Sequence, residues 1–291
     1  GFIPNTTAGV VAVAQGLPWD AGDRVVVLQG EFPTNVTPWL NAAEIHGLEP
    51  VWMSVADYLV DPGVGLERLG AALREGVRLV AVSAVQFQTG LLMPLAEMAA
   101  LCHAHGAEIF VDAIQACGVV PFDVRALDVD YVAAGGHKWL MGTEGSGFFW
   151  ARPEAAARLR PAVAGWLSHD NGIGFLFEGP GQMRYDRPVR ARADFVEAGV
   201  PAVLPLAALG ASVALINEVG VSAIAHHVAA WHDRLEPGLV ERGFRSLRTA
   251  RPEGRSGILA LHPPEGVDVV ALHRGIGEHG VSCSLPDGHL R

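Results

Sequence analysis

The sequence predicts an α/β layered fold: a mostly parallel central sheet flanked by helices, followed by a smaller C-terminal α/β unit. Three observations predict it. Short β-branched runs alternate with helical patterns from Arg24 to Leu159. The strand-like runs are continuously apolar rather than alternating, as strands are when helices cover both faces of a sheet. The 35 glycines and 19 prolines suit many tight turns between short elements.

Taken in order, Arg24–Leu28 and Pro50–Met53 read as strands and Leu66–Glu75 as a helix. Arg78–Ser83 (strand), Pro94–His105 (helix opened by Pro) and Glu108–Val111 (strand) follow. Asp130–Ala133 and Gly147–Trp150 are further strands, and Pro153–Leu159 is a short helix. From Leu204 the balance shifts to helices over Leu204–Glu218 and Val221–Arg242. A strand at Ile258–Leu261, a helix at Val267–His279 and a strand at Gly280–Cys283 come last. The division falls near Gly220, giving a large domain over 1–220 and a small one over 221–291. Gln182–Arg192, with Arg184, Arg187, Arg190 and Arg192, lacks periodicity and reads as a solvated charged loop rather than a substrate gate.

Half of the residues are hydrophobic and 18% are charged, enough apolar surface for a sizeable core and too little charge for global disorder. The formal charge of −10 argues against a nucleic-acid partner, which needs clustered Lys and Arg. Cys102, Cys117 and Cys283 form neither a disulfide framework nor a zinc spacing, so no metal site and a reducing cytoplasm are expected. Gly199–Ile216 is uncharged over 18 residues, at the lower limit for a spanning helix. Pro201, Pro205 and Gly210 interrupt it and basic flanks are absent, so it reads as a helix buried in the core, with no membrane partner. The chain opens without Met and stops at Arg291 beside an incipient strand; both ends are expected to be incomplete.

Four fragments carry chemistry. In Glu108-Ile-Phe-Val-Asp112-Ala-Ile-Gln115 an apolar strand ends in a carboxylate, where ligands bind in open α/β sheets. Asp112 is equally well read as a cap of the following turn. In Tyr131-Val-Ala-Ala-Gly135-Gly136-His137-Lys138-Trp139 a lysine follows a strand and two glycines among apolar neighbours. Such a lysine either snorkels or, once desolvated, attacks a carbonyl. Pro4-Asn5-Thr6-Thr7 opens a small-residue helix whose N-terminus suits a phosphate, although simple capping explains the same residues. Phe32, in Glu31-Phe-Pro-Thr-Asn35, lies beyond a strand's end and reads as a stacking ring or a core Phe.

Together, in this order, the four resemble the class V aminotransferase family of fold-type I pyridoxal-phosphate (PLP) enzymes. That family includes cysteine desulfurases, selenocysteine lyases, kynureninases and isopenicillin-N-epimerase-like proteins. The specific element is D-x-x-Q at 112–115 followed by G-H-K at 136–138, and the similarity runs from Thr6 to about Gly199 with a weaker tail. The resemblance implies the PLP-dependent transferase fold, with PLP as cofactor held by Lys138 as an imine. It further implies that Asp112 pairs with the ring nitrogen, Gln115 bonds the phenolic oxygen, and Thr6, Thr7 and His137 hold the phosphate. Phe32 would cover the ring, and Arg291 would clamp the carboxylate of a small amino-acid substrate. A homodimer is implied as well.

The sequence also departs from the pattern. Gly135 stands where many desulfurases have a phosphate-binding Ser, and Val200 replaces a Thr that reaches the partner subunit. Gln86-Phe87-Gln88 replaces an expected Asn, and Cys283 reads as a core residue rather than a persulfide carrier. The expected reaction is desulfurase-like or C–S/β-lyase chemistry, ahead of aminotransferase or epimerase chemistry and of a non-catalytic protein with this fold.

Overall fold

The computed structural model describes all 291 residues. The first half runs α1 (Thr6–Ala14), β1 (Arg24–Gln29), α2 (Thr37–His46), β2 (Glu49–Ser54), α3 (Ala56–Val60), α4 (Pro62–Arg74), β3 (Val77–Ser83), α5 (Leu95–Ala104) and β4 (Glu108–Asp112). It continues through α6 (Val124–Leu127), β5 (Tyr131–Gly135), β6 (Gly147–Ala151), α7 (Pro153–Arg158) and α8 (Gly174–Phe177). The C-terminal part holds α9 (Val203–Val219), α10 (Val221–Val240), β7 (Arg245–Ser246), β8 (Leu261–His262) and α11 (Val269–Glu278).

Six strands form one sheet in the order β2-β1-β3-β4-β5-β6, parallel except for β6. Because strand residues alternate between faces, each apolar run feeds two cores at once. Val26, Leu28, Val80, Val82, Ile109 and Val111 pack with Leu69, Leu73, Met98 and Cys102 of α4 and α5. Val25, Val27, Leu79, Ala81 and Phe110 pack on the opposite face with Val10 and Val13 of α1 and Trp39 of α2. Each fully buried large side chain stabilises the fold by about 1.5–3 kcal/mol. The continuous apolar runs follow from this double coverage.

The chain leaves β1 for β2 on one side and returns to β3 on the other, so the strand order reverses at β1. Such a switch opens a crevice at the carboxyl ends of the strands. There β1 runs into Glu31 and Phe32, β3 ends at Ser83, β4 at Asp112, and β5 leads into the Lys138 turn.

Three expectations need correction. The Gly199–Ile216 segment forms α9, but only Leu209 and Ile216 of that helix are buried, and Leu204 is 83% exposed. Its apolar composition reflects a surface without a partner in this chain rather than a core position. Ile258–Leu261 is not a strand as a whole: β8 covers only Leu261–His262, paired antiparallel with β7. Gly280–Cys283 is not a strand either, since no neighbouring backbone offers it a ladder. Its neighbour Ser284 instead exchanges backbone hydrogen bonds with Arg291. The arginines of 182–192 are tethered: Arg190 donates to the carbonyls of His169 and Asp194, and Arg187 to those of Asp170 and Asn171. No single helix is long and apolar enough to cross a membrane.

Candidate active site

Asp112 ends β4, and its Oδ1 accepts the Ile114 N–H at 3.0 Å. It therefore does cap the following turn, with its carboxyl only 2% exposed. That turn brings Gln115 to the same cavity, where its buried Nε2 has no hydrogen-bond partner. Gly118 locks the turn against the lysine-bearing loop: it sits at φ +101°, and a Cβ there would lie 2.5 Å from the Trp139 carbonyl oxygen.

Lys138 follows β5, half-buried, with its Nζ 5.6 Å from the centroid of the Phe32 ring. Phe32 meets Phe87 edge-on at 5.2 Å between centroids and is itself 45% exposed, so it presents a ring to the cavity rather than filling a core. Thr6 and Thr7 are the first residues of α1, capped by Asn5, whose side chain accepts the Ala8 N–H. The buried Thr6 hydroxyl accepts the Gly135 N–H at 2.9 Å and ties the helix start to the end of β5. Thr7 is exposed and its hydroxyl lies 2.9 Å from that of Thr34. His137 lines the same cavity from the lysine loop.

Thr6, Thr7, Phe32, Asp112, Gln115, His137 and Lys138 thus converge on one cavity of about 120 Å³. Arg291 stands at an adjoining cavity with Gln115 and Lys138, and its only side-chain hydrogen bond runs to the Phe87 carbonyl at 2.7 Å. Thr34, Ser83 and Asn5 also line the first cavity and escaped the sequence reading. Thr34 carried a signal, a hydroxyl two residues after Phe32; Ser83 carried none beyond ending a strand. Val200 is 78% exposed and stands apart from the cavity residues. Cys283 is half-buried, its carbonyl held by His273 Nε2 at 2.9 Å.

The cavity combines a buried carboxyl with a half-buried amine. Burial pushes Asp112 up to about 7; the Ile114 N–H opposes this, Glu31 adds to it and the Lys138 ammonium counters it. Burial holds Lys138 below the ordinary lysine range, Arg291 adds to this, and Asp112 opposes it. An ammonium with a lowered pKa is the state a nucleophilic lysine requires.

Comparison with known proteins decides the family. The family model for class-V aminotransferases matches residues 2–289. The chain belongs to the class-V aminotransferase family. It is 31% identical over 264 residues to a cysteine desulfurase of Dickeya dadantii (strain 3937), spanning 90% of this chain and 60% of that protein. It is 29% identical over 284 residues to the isopenicillin N epimerase of Streptomyces clavuligerus, spanning 94% of this chain and 68% of that protein. Two structures of the C–S lyase C-DES superpose with TM-scores of 0.86 and 0.85 at 24% identity, each over 99% of this chain and about three quarters of the other. One holds the product cysteine persulfide, and the other holds glycine covalently linked to the PLP cofactor. This class-V chain spans 60% of the length of the desulfurase it matches.

The residues of this class-V site fit PLP on observations of their own. Gln115 offers a buried donor with nothing to bond, Asp112 is a buried acceptor, and Lys138 is a half-buried amine beside both. The first turn of α1 opens onto the same space with the Thr7 and Thr34 hydroxyls, as an anion requires.

Proposed function

We propose that this chain is the PLP-binding part of an enzyme that breaks a bond at a small amino-acid substrate, with C–S cleavage as the leading reaction. The observation that supports it best is the convergence of Lys138, Asp112, Gln115 and Phe32 on one cavity, with Arg291 beside it. Bound there, PLP supplies an aldehyde carbon for amine exchange and a ring that accepts electron density from the bond breaking at the substrate Cα. Lys138 would be the amine that holds the cofactor and the base that moves the proton at the substrate Cα. Asp112 would keep the ring nitrogen protonated, and Gln115, whose Nε2 has no partner in the chain, would donate to the ring's phenolic oxygen. Phe32 would cover one ring face and exclude water, while Thr6, Thr7 and His137 would hold the phosphate. The Arg291 guanidinium clamps the substrate carboxylate in a forked pair. The homodimer that the family resemblance implies belongs to the same proposal.

Within C–S chemistry, the position of Cys283 favours a lyase that releases its sulfur product over a desulfurase that stores sulfur on this residue. Cys283 is half-buried and its carbonyl is held by His273, whereas a transfer nucleophile needs an exposed, mobile position. The epimerase relative keeps racemisation as the second reading.

The test uses the full-length protein. Borohydride should trap PLP on the wild-type chain and not on Lys138→Ala. Cystine or cysteine should yield pyruvate or alanine together with a sulfur product. Turnover that requires a keto acid, or racemisation without sulfur release, would move the assignment to a transaminase or an epimerase. A wild-type protein that traps no PLP would mean a non-catalytic fold.

A further inference from the structure

Beside the cavity lies a carboxyl that none of these roles uses. Glu31 follows β1 and is 7% exposed. Its Oε1 accepts the Ser83 N–H at 2.6 Å and Gln86 Nε2 at 2.9 Å, and its Oε2 accepts the Ser83 hydroxyl. Asn35 lies alongside; its buried amide nitrogen makes no well-formed hydrogen bond but favours the charged form of Glu31. All the groups that stabilise Glu31 are amides and a hydroxyl; none is a lysine or an arginine. Ser83 is the ladder partner of Asp112 between β3 and β4, so the residue that holds Glu31 is the cross-strand neighbour of Asp112. An unpaired buried carboxylate is expensive, and a glutamine could accept the same N–H groups without that cost. Burial accordingly pushes the Glu31 carboxyl above the ordinary glutamate range, its hydrogen bonds from Gln86 and Ser83 oppose this, and its charge is favoured only when a cation sits nearby.

We propose that Glu31 is a positioning residue acting through Asp112: its buried negative charge makes Asp112 a stronger partner for the protonated ring nitrogen of PLP. The inference rests on the role of Asp112 given above. Two neighbouring buried carboxyls repel when both are charged, so each holds a proton more tightly until a cation comes between or beside them. A protonated ring nitrogen against Asp112 is such a cation. The charged and titratable groups facing Asp112 are Glu31 from the end of β1, Lys138 and His137 from the turn after β5, and Cys117 from its own turn. Burial pushes the Cys117 thiol up to about 12, so it stays neutral. Arg291 acts on Lys138 and is not among the charges that shift Asp112. Glu31 is therefore the one carboxylate that reinforces Asp112.

Glu31→Gln removes the charge and can keep the bonds. Its amide oxygen can take the Ser83 and Gln86 N–H groups, and its amide nitrogen can donate to the Ser83 oxygen. PLP affinity of the full-length protein is measured from pH 5 to pH 9 for wild type, Glu31→Gln, Asp112→Asn and the double variant. Removing a neighbouring negative charge lowers the pH at which Asp112 takes a proton. The affinity profile of Glu31→Gln should therefore move to lower pH by about half a unit or more. In the Asp112→Asn background the same substitution should shift nothing. A purely structural Glu31 would lower affinity by one factor at every pH, and that result overturns the proposal. So does a shift that persists without Asp112. An Asp112→Asn variant that binds PLP as wild type does would instead sink the reading of Asp112 itself. Should Glu31→Gln not fold, Ser83→Ala withdraws a hydrogen bond that stabilises the Glu31 charge. It must then move the profile in the same direction, and an unmoved profile overturns the proposal.

Discussion

At the scale of single residues the site depends on placing charge where water is scarce. Asp112 titrates at about 7 when folded and as an ordinary aspartate when unfolded. Between those two values the folded chain binds a proton that the unfolded chain does not. Stability therefore falls as pH rises through that window, and the full penalty stands above it. Asp112→Asn should raise the melting temperature of the cofactor-free protein more at pH 8 than at pH 5, and weaken PLP about tenfold or more. Equal gains at both pH values in a thermal melt would show that Asp112 is not the strained group. Lys138, Asp112 and Gln115 stand out in the sequence because Asp112 ends an apolar strand and the other two follow strands by short turns. Glu31, Ser83 and Gln86 do not, since a buried polar residue leaves no mark in a hydrophobic pattern.

At the scale of elements, the contact that shapes the phosphate end is α1 against β5. Gly9 lets the helix lie so close that a Cβ there would come within 2.5 Å of the Ala133 Cβ. The same approach lets the Thr6 hydroxyl reach the Gly135 N–H. Gly9→Val should force the two apart, cost roughly 1–3 kcal/mol in denaturant unfolding, and weaken PLP as well. A variant with wild-type stability and affinity would mean that the helix adjusts without loss. The sequence reading found this helix and its hydroxyls but not its cap. Asn5 takes that place because its side chain reaches the Ala8 N–H, leaving both threonine hydroxyls free of capping. The strand expected over Ile258–Leu261 shrank to Leu261–His262 for a complementary reason. Apolar propensity favours extended backbone, but only a neighbouring ladder makes it a strand.

At the scale of the whole molecule, α9 is the anomaly. Val203, Leu204, Leu215 and Val219 are each more than half exposed on a helix without a charged residue before Glu218. An exposed apolar surface of this kind is expected to be covered by a partner, and the proposed homodimer would cover it with a second copy. Sedimentation of the full-length protein should give the mass of two chains, and Leu204→Asp with Leu215→Asp should give the mass of one. A wild-type monomer would remove the homodimer from the proposal. Composition alone points this helix to the core, because it reports only that a surface avoids water, not which chain covers it.

What the sequence determined by itself were the features written locally: the alternation of strands and helices in the large domain, the double coverage of the sheet, and the D-x-x-Q and G-H-K turns. These depend on backbone periodicity and short turns, which a few consecutive residues specify. Tertiary structure alone decided that residues as distant as Thr6, Phe32, Asp112 and Lys138 share one cavity. It also decided that Glu31 lies beside Asp112 and that α9 faces outward. The physical reason is that burial and charge act through space: a carboxyl's proton affinity and a leucine's exposure are set by neighbours dozens of positions away in the chain.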